Sequence, residues 1–271
     1  MKIGIIGGSG FQNPSFFQLT KETELSTPFG NPSDVFRLGK VGDVECVLIS
    51  RHGPGHTIPP TFVNYRANLW GLKELGCTHI IATTACGSLQ EEYRPGDLVV
   101  IDSFIDRTVR RETTFFDGKN LTSETSGVCH IPMEPAFCSR LCDLVYETGK
   151  SAGKNIHPKA TVVTIEGPRF STISESRLFH SWGANLVNMT TVPEATLAKE
   201  LGLLYVAIGL VTDYDCWNDT GRVSAHEVLR CFKENLEHMA FLVKKTVEKL
   251  STMDWSEDID SAKKLVKSSI V

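Results

Sequence analysis

Six short segments of the chain carry oxyanion-binding or proton-moving side chains, five of them beside glycine or proline. Arg51-His52-Gly53-Pro54-Gly55-His56 is the most specific of them. Arg offers a forked cation matched to phosphate, and His a second donor. A solvated turn is the competing reading, although Arg is rarely buried without a partner. In Gly7-Gly8-Ser9-Gly10, exposed N–H groups and the Ser9 hydroxyl could cradle an anion. The GxGxxG spacing of a dinucleotide site fails, because Phe11-Gln12-Asn13 and then Pro14 follow; a plain tight turn fits equally well. Thr83-Thr84-Ala85-Cys86-Gly87-Ser88 offers hydroxyls and backbone donors, as many turns do. In Glu166-Gly167-Pro168-Arg169-Phe170-Ser171, Phe170 is either a stacking face for a flat ring or a core residue. Val187-Asn188-Met189-Thr190-Thr191-Val192-Pro193-Glu194 sets Thr190 or Thr191 at a helix N-terminus, where anions bind. Thr212-Asp213-Tyr214-Asp215-Cys216-Trp217 carries two carboxyls at the end of an apolar run. Burial there would raise a carboxyl pKa and make it a proton donor. A capped turn and a metal-binding DxD are the alternatives, the latter without a further carboxylate cluster to support it.

The elements that must position these segments are legible from short apolar runs: Ile3–Ile6, Val44–Ser50, His79–Thr83, Leu98–Asp102, Thr161–Ile165, Asn185–Met189 and Leu204–Thr212. Several are apolar throughout, which predicts strands covered on both faces. Helical patterns lie between them at Thr61–Leu75, Pro135–Ala152, Ser174–Trp182 and Pro193–Leu201, each stopped by a glycine. A long helix is predicted from Ser224 to Leu250, with Ser224 and Glu227 spaced as a capping box. The pattern reads as one α/β domain, residues 1–271, with a large mixed sheet flanked by helices. Asp117–Gly127 and Asn218–Arg222 read as mobile loops, and residues 254–271 as an amphipathic helical tail that docks on this subunit or another.

Composition narrows the partners. Of 271 residues, 41% are hydrophobic and 22% charged, enough for a sizeable core, and the formal net charge is -4. That balance gives no footprint for nucleic acid or an anionic membrane, so an anionic substrate must be met by local cations. No apolar run approaches a membrane span, and the N-terminus enters a strand-like run without a signal-peptide pattern. The eight cysteines, spread without a CxxC pair, read as reduced thiols of a cytoplasmic protein, with the nucleus a further permitted compartment, and not as a zinc site.

Five polar clusters sit at the ends of five separate predicted strands, where ligands gather in such sheets. Cation and hydroxyls on one side and carboxyls on the other suit an oxyanion attacking a sugar whose leaving group must be protonated. At these residues the chain resembles the trimeric purine nucleoside phosphorylase family. Gly127-Val128-Cys129-His130-Ile131-Pro132-Met133, Met189–Glu194 and Thr212–Trp217 resemble the branch that acts on 5′-methylthio nucleosides. The resemblance runs colinearly from Lys2 to about Trp255. It implies a nucleoside phosphorylase fold, a homotrimer, and phosphorolysis of S-methyl-5′-thioadenosine to adenine and 5-methylthioribose 1-phosphate in purine and methionine salvage. Adenosine would be a secondary substrate. Phosphate, the co-substrate, would be held by Ser9, Arg51, His52, Thr84, Ala85 and Thr190. Asn188 and Met189 would lie at the ribose, and Phe170, Ser171, Asp213 and Asp215 at the purine, with Asp213 as the acid. Ala225, Val228 and Leu229 would face the methylthio group, with His130 reaching the pocket from a neighbouring subunit. No metal or organic cofactor is implied. The chain departs from the family's pattern at Ser9, where many members have Thr, in a shorter segment at 218–223, and at Ala225, where Val is common.

Two other functions fit parts of the sequence. Arg51-His52-Gly53 matches the nucleophile string of histidine phosphatases, but it follows a later strand and lacks a second His cluster. A non-catalytic nucleoside-binding module would not call for Asp213, Arg51 and His52 together.

Overall fold

The computed structural model describes residues 1–8, 11, 14–218 and 223–271. Its strands are β1 Ile3–Gly7, β2 Gln18–Thr23, β3 Phe36–Val41, β4 Val44–Ser50, β5 His79–Ser88, β6 Leu98–Ile101, β7 Ser103–Arg107, β8 Ile156–His157, β9 Thr161–Ile165, β10 Leu186–Asn188 and β11 Leu204–Asp213. Its helices are α1 Tyr65–Glu74, α2 Ser139–Ser151, α3 Ile173–Ser181, α4 Thr191–Glu200, α5 Ala225–Leu250 and α6 Ser256–Ser269. The strands form one mixed sheet ordered β2-β3-β4-β1-β5-β10-β9-β7, with β11 on the other edge of β5 and continuing to β6 and β8.

The branch at β5 creates the site. One edge of β5 pairs with β11 along nearly its whole length. The opposite edge pairs with β1 at His79–Ala82 and with β10 at Gly87 and Ser88. Between those pairings Thr83–Cys86 has no strand partner on that edge among the described residues, and Thr83 meets a backbone N–H and a side chain there instead. Gly8 N donates to Thr83 Oγ1 at 3.0 Å, and Arg51 donates to the Thr83 carbonyl at 2.9 Å. A Cβ on Gly8 would sit 2.5 Å from that carbonyl, so only glycine permits the approach. Thr83–Ser88, expected as a turn after the strand, therefore lies within the strand.

The apolar runs are core on both faces, as β1, β6 and most of β11 show. A smaller cluster of Leu89, Val163, Phe179, Ala184 and Val187 packs beside it. Helix boundaries shift from those expected. The pattern at Thr61 resolves into a one-turn helix, Pro60–Phe62, before α1, which Asn64 caps by accepting from Ala67 N. Helix α2 starts at Ser139 rather than Pro135, and α3 carries a capping box of Thr172 and Glu175. Ser224 is the N-cap of α5 but makes no side-chain cap bond, so the capping box expected there is not formed. The 117–127 segment is held down rather than free: Asp117 binds Arg66 at 2.7 Å and Thr125 is buried. The expected loop at 218–222 lies outside the described residues apart from Asn218. The tail forms α6 and docks on its own chain, with Trp255 buried and Asp258 bound to Arg140.

Candidate active site

A cavity of about 310 Å³ opens where β5 lacks its partner, at the ends of β4, β9, β10 and β11. Arg51, His52, Thr84, Ala85 and Thr190 line one part of it, and Phe170, Ser171, Asp213 and Asp215 another; Asn188 and Met189 lie on the same wall. Ala225, Val228 and Leu229 of α5 complete the lining. One expected residue, His130, is not brought together with these. Ser9, expected at the phosphate, lies outside the described residues. His130 is exposed and outside the lining, on a segment whose backbone N donates to Ser269 O at 2.8 Å.

Arg51 is fully buried and bidentate with Glu194: Nε to Oε2 and Nη2 to Oε1, both at 2.7 Å. Burial of the guanidinium opposes its charge, and the adjoining carboxylate more than compensates, so its pKa is raised. With Thr83 taking a third hydrogen, one hydrogen remains on each terminal nitrogen, a fork aimed at an oxyanion. His52 Nδ1 sits 2.8 Å from the Ile58 carbonyl, which fixes that nitrogen as the donor and leaves Nε2 with a lone pair. Burial, then the Arg51 charge, lowers the His52 pKa to about 3, so the ring is neutral. His56 lies against it, ring centroids 4.2 Å apart. Thr84 and Thr190 bring their hydroxyls to 3.4 Å of each other. Thr190 precedes α4 but spends no side-chain bond on capping it, so beyond the long contact with Thr84 its hydroxyl keeps capacity for a ligand. Val192 has extended backbone angles, so the regular helix begins at Pro193.

The opposite half holds a protonatable carboxyl. Burial raises the Asp213 pKa. Asp213 Oδ1 accepts from Asp215 N at 2.8 Å, and Oδ2 lies 2.7 Å from Thr212 Oγ1. The Thr212 hydroxyl also lies 3.2 Å from the Cys86 carbonyl. The single hydroxyl hydrogen of Thr212 therefore has two acceptors within reach, the Asp213 carboxyl and the Cys86 carbonyl. Burial raises Asp215 as well, and its backbone takes the left-handed angle φ 48°. Ser171 Oγ and Asp215 Oδ2 are buried with no geometrically formed hydrogen bond, although Ser171 and Ser176 lie close enough to favour the Asp215 carboxylate. Both Ser171 and Asp215 line this cavity, which suits a polar heterocycle edge. Phe170 stands at the mouth, partly exposed, rather than in the core.

Asn188, expected at the ribose, lines the cavity and also organises its threonines. Its Oδ1 accepts from Thr164 Oγ1 at 3.0 Å, while Nδ2 donates to Thr84 Oγ1 at 3.3 Å and Thr191 Oγ1 at 2.6 Å. Both amide hydrogens are thus used to orient the threonines. Sequence reasoning also missed Glu194, which appeared only as a helix-start residue. Its signal was Arg51 itself, because a buried cation demands a carboxylate. Arg111 was missed too; it lies in the polar stretch 107–114, where no glycine, proline or apolar strand end singles it out.

Residues 2–248 match the model of the Phosphorylase superfamily. The chain belongs to that superfamily. Within the phosphorylases it is similar over its full length to S-methyl-5′-thioadenosine phosphorylase of Anopheles gambiae, 53% identical and covering 97% of that protein. The enzyme of the same name from Xenopus tropicalis is 50% identical, with 96% of its length covered. Among solved phosphorylases, a mutant adenosine/methylthioadenosine phosphorylase of Schistosoma mansoni in complex with methylthioadenosine superposes with a TM-score of 0.95. It is 44% identical, over 99% of this chain and 98% of that one. The methylthioadenosine phosphorylase of the same organism in complex with adenine gives the same TM-score and identity. The mixed sheet with its flanking helices is thus the nucleoside phosphorylase fold.

Proposed function

We propose that the chain cleaves S-methyl-5′-thioadenosine with inorganic phosphate, giving adenine and 5-methylthioribose 1-phosphate, a purine and methionine salvage reaction. The observation that carries this is one cavity holding an oxyanion fork at one end and a protonatable buried carboxyl at the other. Full-length relatives bearing that activity in their names support it.

Phosphate sits against Arg51, Thr84, Thr190 and the Ala85 backbone, with His52 Nε2 accepting from a phosphate O–H. The C1′–N9 bond stretches and the ribose gains oxocarbenium character, which the phosphate charge stabilises. A phosphate oxygen then bonds to C1′, while Asp213 passes its proton to N7 and neutral adenine departs. Asp213 is left as the carboxylate and regains a proton from solvent. Ser171 Oγ and Asp215 Oδ2 meet the polar edge of the base. Val228 and Leu229 offer apolar surface to the methylthio group, and adenosine enters as a poorer substrate. Phosphate as nucleophile and Asp213 as acid complete the chemistry, so the reaction calls for no metal or organic cofactor.

Assembly as a homotrimer is part of this reading, with His130 of one copy at the cavity of the next. Phe62 and Val109, large apolar residues 71% and 76% exposed, fit a buried subunit contact. Eight free cysteines fit a reducing compartment such as the cytoplasm. The test is adenine release from S-methyl-5′-thioadenosine with and without phosphate, alongside adenosine and inosine. Phosphate-dependent release, fastest with the methylthio substrate, is expected. Faster release of hypoxanthine from inosine would move the assignment to 6-oxopurine nucleosides.

A further inference from the structure

Arg111 does not line the cavity, yet it holds two of the cavity's walls together. Its side chain is 1% exposed. Nη1 donates to the carbonyls of Met189 at 2.8 Å and Val192 at 2.7 Å. Nη2 donates to the Glu166 carbonyl at 2.7 Å, and Nε lies 3.4 Å from Glu166 Oε1. The Tyr65 hydroxyl of α1 is 3.2 Å from Nη1. The first pair of carbonyls belongs to the turn carrying Met189 and Thr190. The Glu166 carbonyl opens the segment that leads to Phe170 and Ser171. These two segments meet directly at the cavity, since a Cβ on Gly167 would fall 2.6 Å from Met189 Sδ.

We propose that Arg111 is a positioning residue for phosphorolysis, setting the spacing between the base-binding segment 166–171 and the phosphate- and ribose-binding turn 188–192. The proposal rests on the reading of the cavity given above. The energetic reasoning is that burying a guanidinium is costly unless it is paired and hydrogen-bonded. Here the only carboxylate partner among the described residues is at 3.4 Å, and the shortest bonds run to neutral main-chain carbonyls. Packing the same volume with an aliphatic side chain would serve a scaffold as well. A rigid fork that meets carbonyls of two separate segments serves geometry, and misplacement of reacting groups by about 1 Å costs roughly 10²-fold in rate. Lys carries the same charge on a single nitrogen and cannot span these acceptors.

The test compares wild type, Arg111→Met, Arg111→Lys and Asp117→Asn. The last breaks the Arg66–Asp117 pair away from the cavity and reports what lost stability alone does. Each is assayed for phosphate-dependent adenine release from S-methyl-5′-thioadenosine, at temperatures where circular dichroism shows it folded. Arg111→Met is expected to lose about 10²-fold in kcat/KM with KM raised for both phosphate and nucleoside. Arg111→Lys is expected to fold, to fall between it and wild type, and to show both KM values raised. Asp117→Asn is expected to lower the melting midpoint and leave all three constants unchanged. If Arg111→Met does not fold, Arg111→Lys carries the same comparison. Unchanged kcat and KM values in a folded Arg111 variant, with only the midpoint lowered, would overturn the proposal. A wild type that releases no base would instead overturn the function on which it rests.

Discussion

Arg51 and Glu194, 143 residues apart in sequence, form a two-bond ion pair whose side chains are only 2% and 1% exposed. Tyr205 on β11 donates to the same carboxylate at 2.8 Å. The pair turns the free edge of the Arg51 guanidinium toward the cavity while Thr83 holds its third side.

Removing Glu194 therefore acts on phosphate binding and on stability together. Glu194→Ala leaves a buried, unpaired cation and should cost about 3–5 kcal/mol in denaturant unfolding. Glu194→Gln keeps one acceptor and should fold, with KM for phosphate raised and KM for the nucleoside little changed. Arg51→Ala should raise the same phosphate constant. An unchanged phosphate KM in both Glu194→Gln and Arg51→Ala would remove the oxyanion fork from the account.

Asp213→Asn separates catalysis from stability. Turnover should fall about 10²–10⁴-fold with loss of the acid. The folded-state pKa of Asp213 is raised, so the folded protein holds this proton more tightly than the unfolded chain. That contribution to stability is complete below the ordinary carboxyl value of 3.8 and is lost as pH rises through the raised value. At neutral pH the Asn variant should accordingly be as stable as wild type or more so. Denaturant midpoints of both proteins across this range should show wild type losing ground to the variant as pH rises.

His52 carries the opposite sign. Its pKa is lowered to about 3 from 6.5, so stability is lost as pH falls below 6.5 toward that value. The variant His52→Asn should lose less stability on acidification than wild type. In the ligand-free protein, an imidazole NMR titration of His52 should show no inflection near 6.5. A titration at the ordinary value would contradict the neutral acceptor assigned to Nε2.

The α5 wall bears on the 5′ substituent. Val228→Ser should narrow the preference for S-methyl-5′-thioadenosine over adenosine by about tenfold or more, chiefly through the methylthio substrate. Competition between the two substrates measures that ratio directly.

How much of this was legible in the sequence depends on the residue environment. Strands buried on both faces read clearly, and β4 and β9 fall on the expected residues. Strand β2, Gln18–Thr23, is polar and mostly exposed, so it lacks the apolar signature and pairs only through β3. The end of β5 reads as a turn because Thr83–Ser88 is small and polar, yet β11 pairs with it up to Gly87. The cavity residues were legible wherever a polar group interrupts an apolar strand end. Glu194 and Arg111 were not, because each acts through partners far away in sequence. The Ser224–Glu227 spacing suggested a cap that the fold does not use, while Thr172–Glu175, with the same spacing, makes both bonds.

The most direct measurement is adenine release from S-methyl-5′-thioadenosine by wild type and Asp213→Asn, each with and without phosphate. The account predicts release by wild type only when phosphate is present, with 5-methylthioribose 1-phosphate formed in equal amount, and a turnover lowered by orders of magnitude in the variant. Release that proceeds without phosphate, or that Asp213→Asn sustains at the wild-type rate, would contradict it.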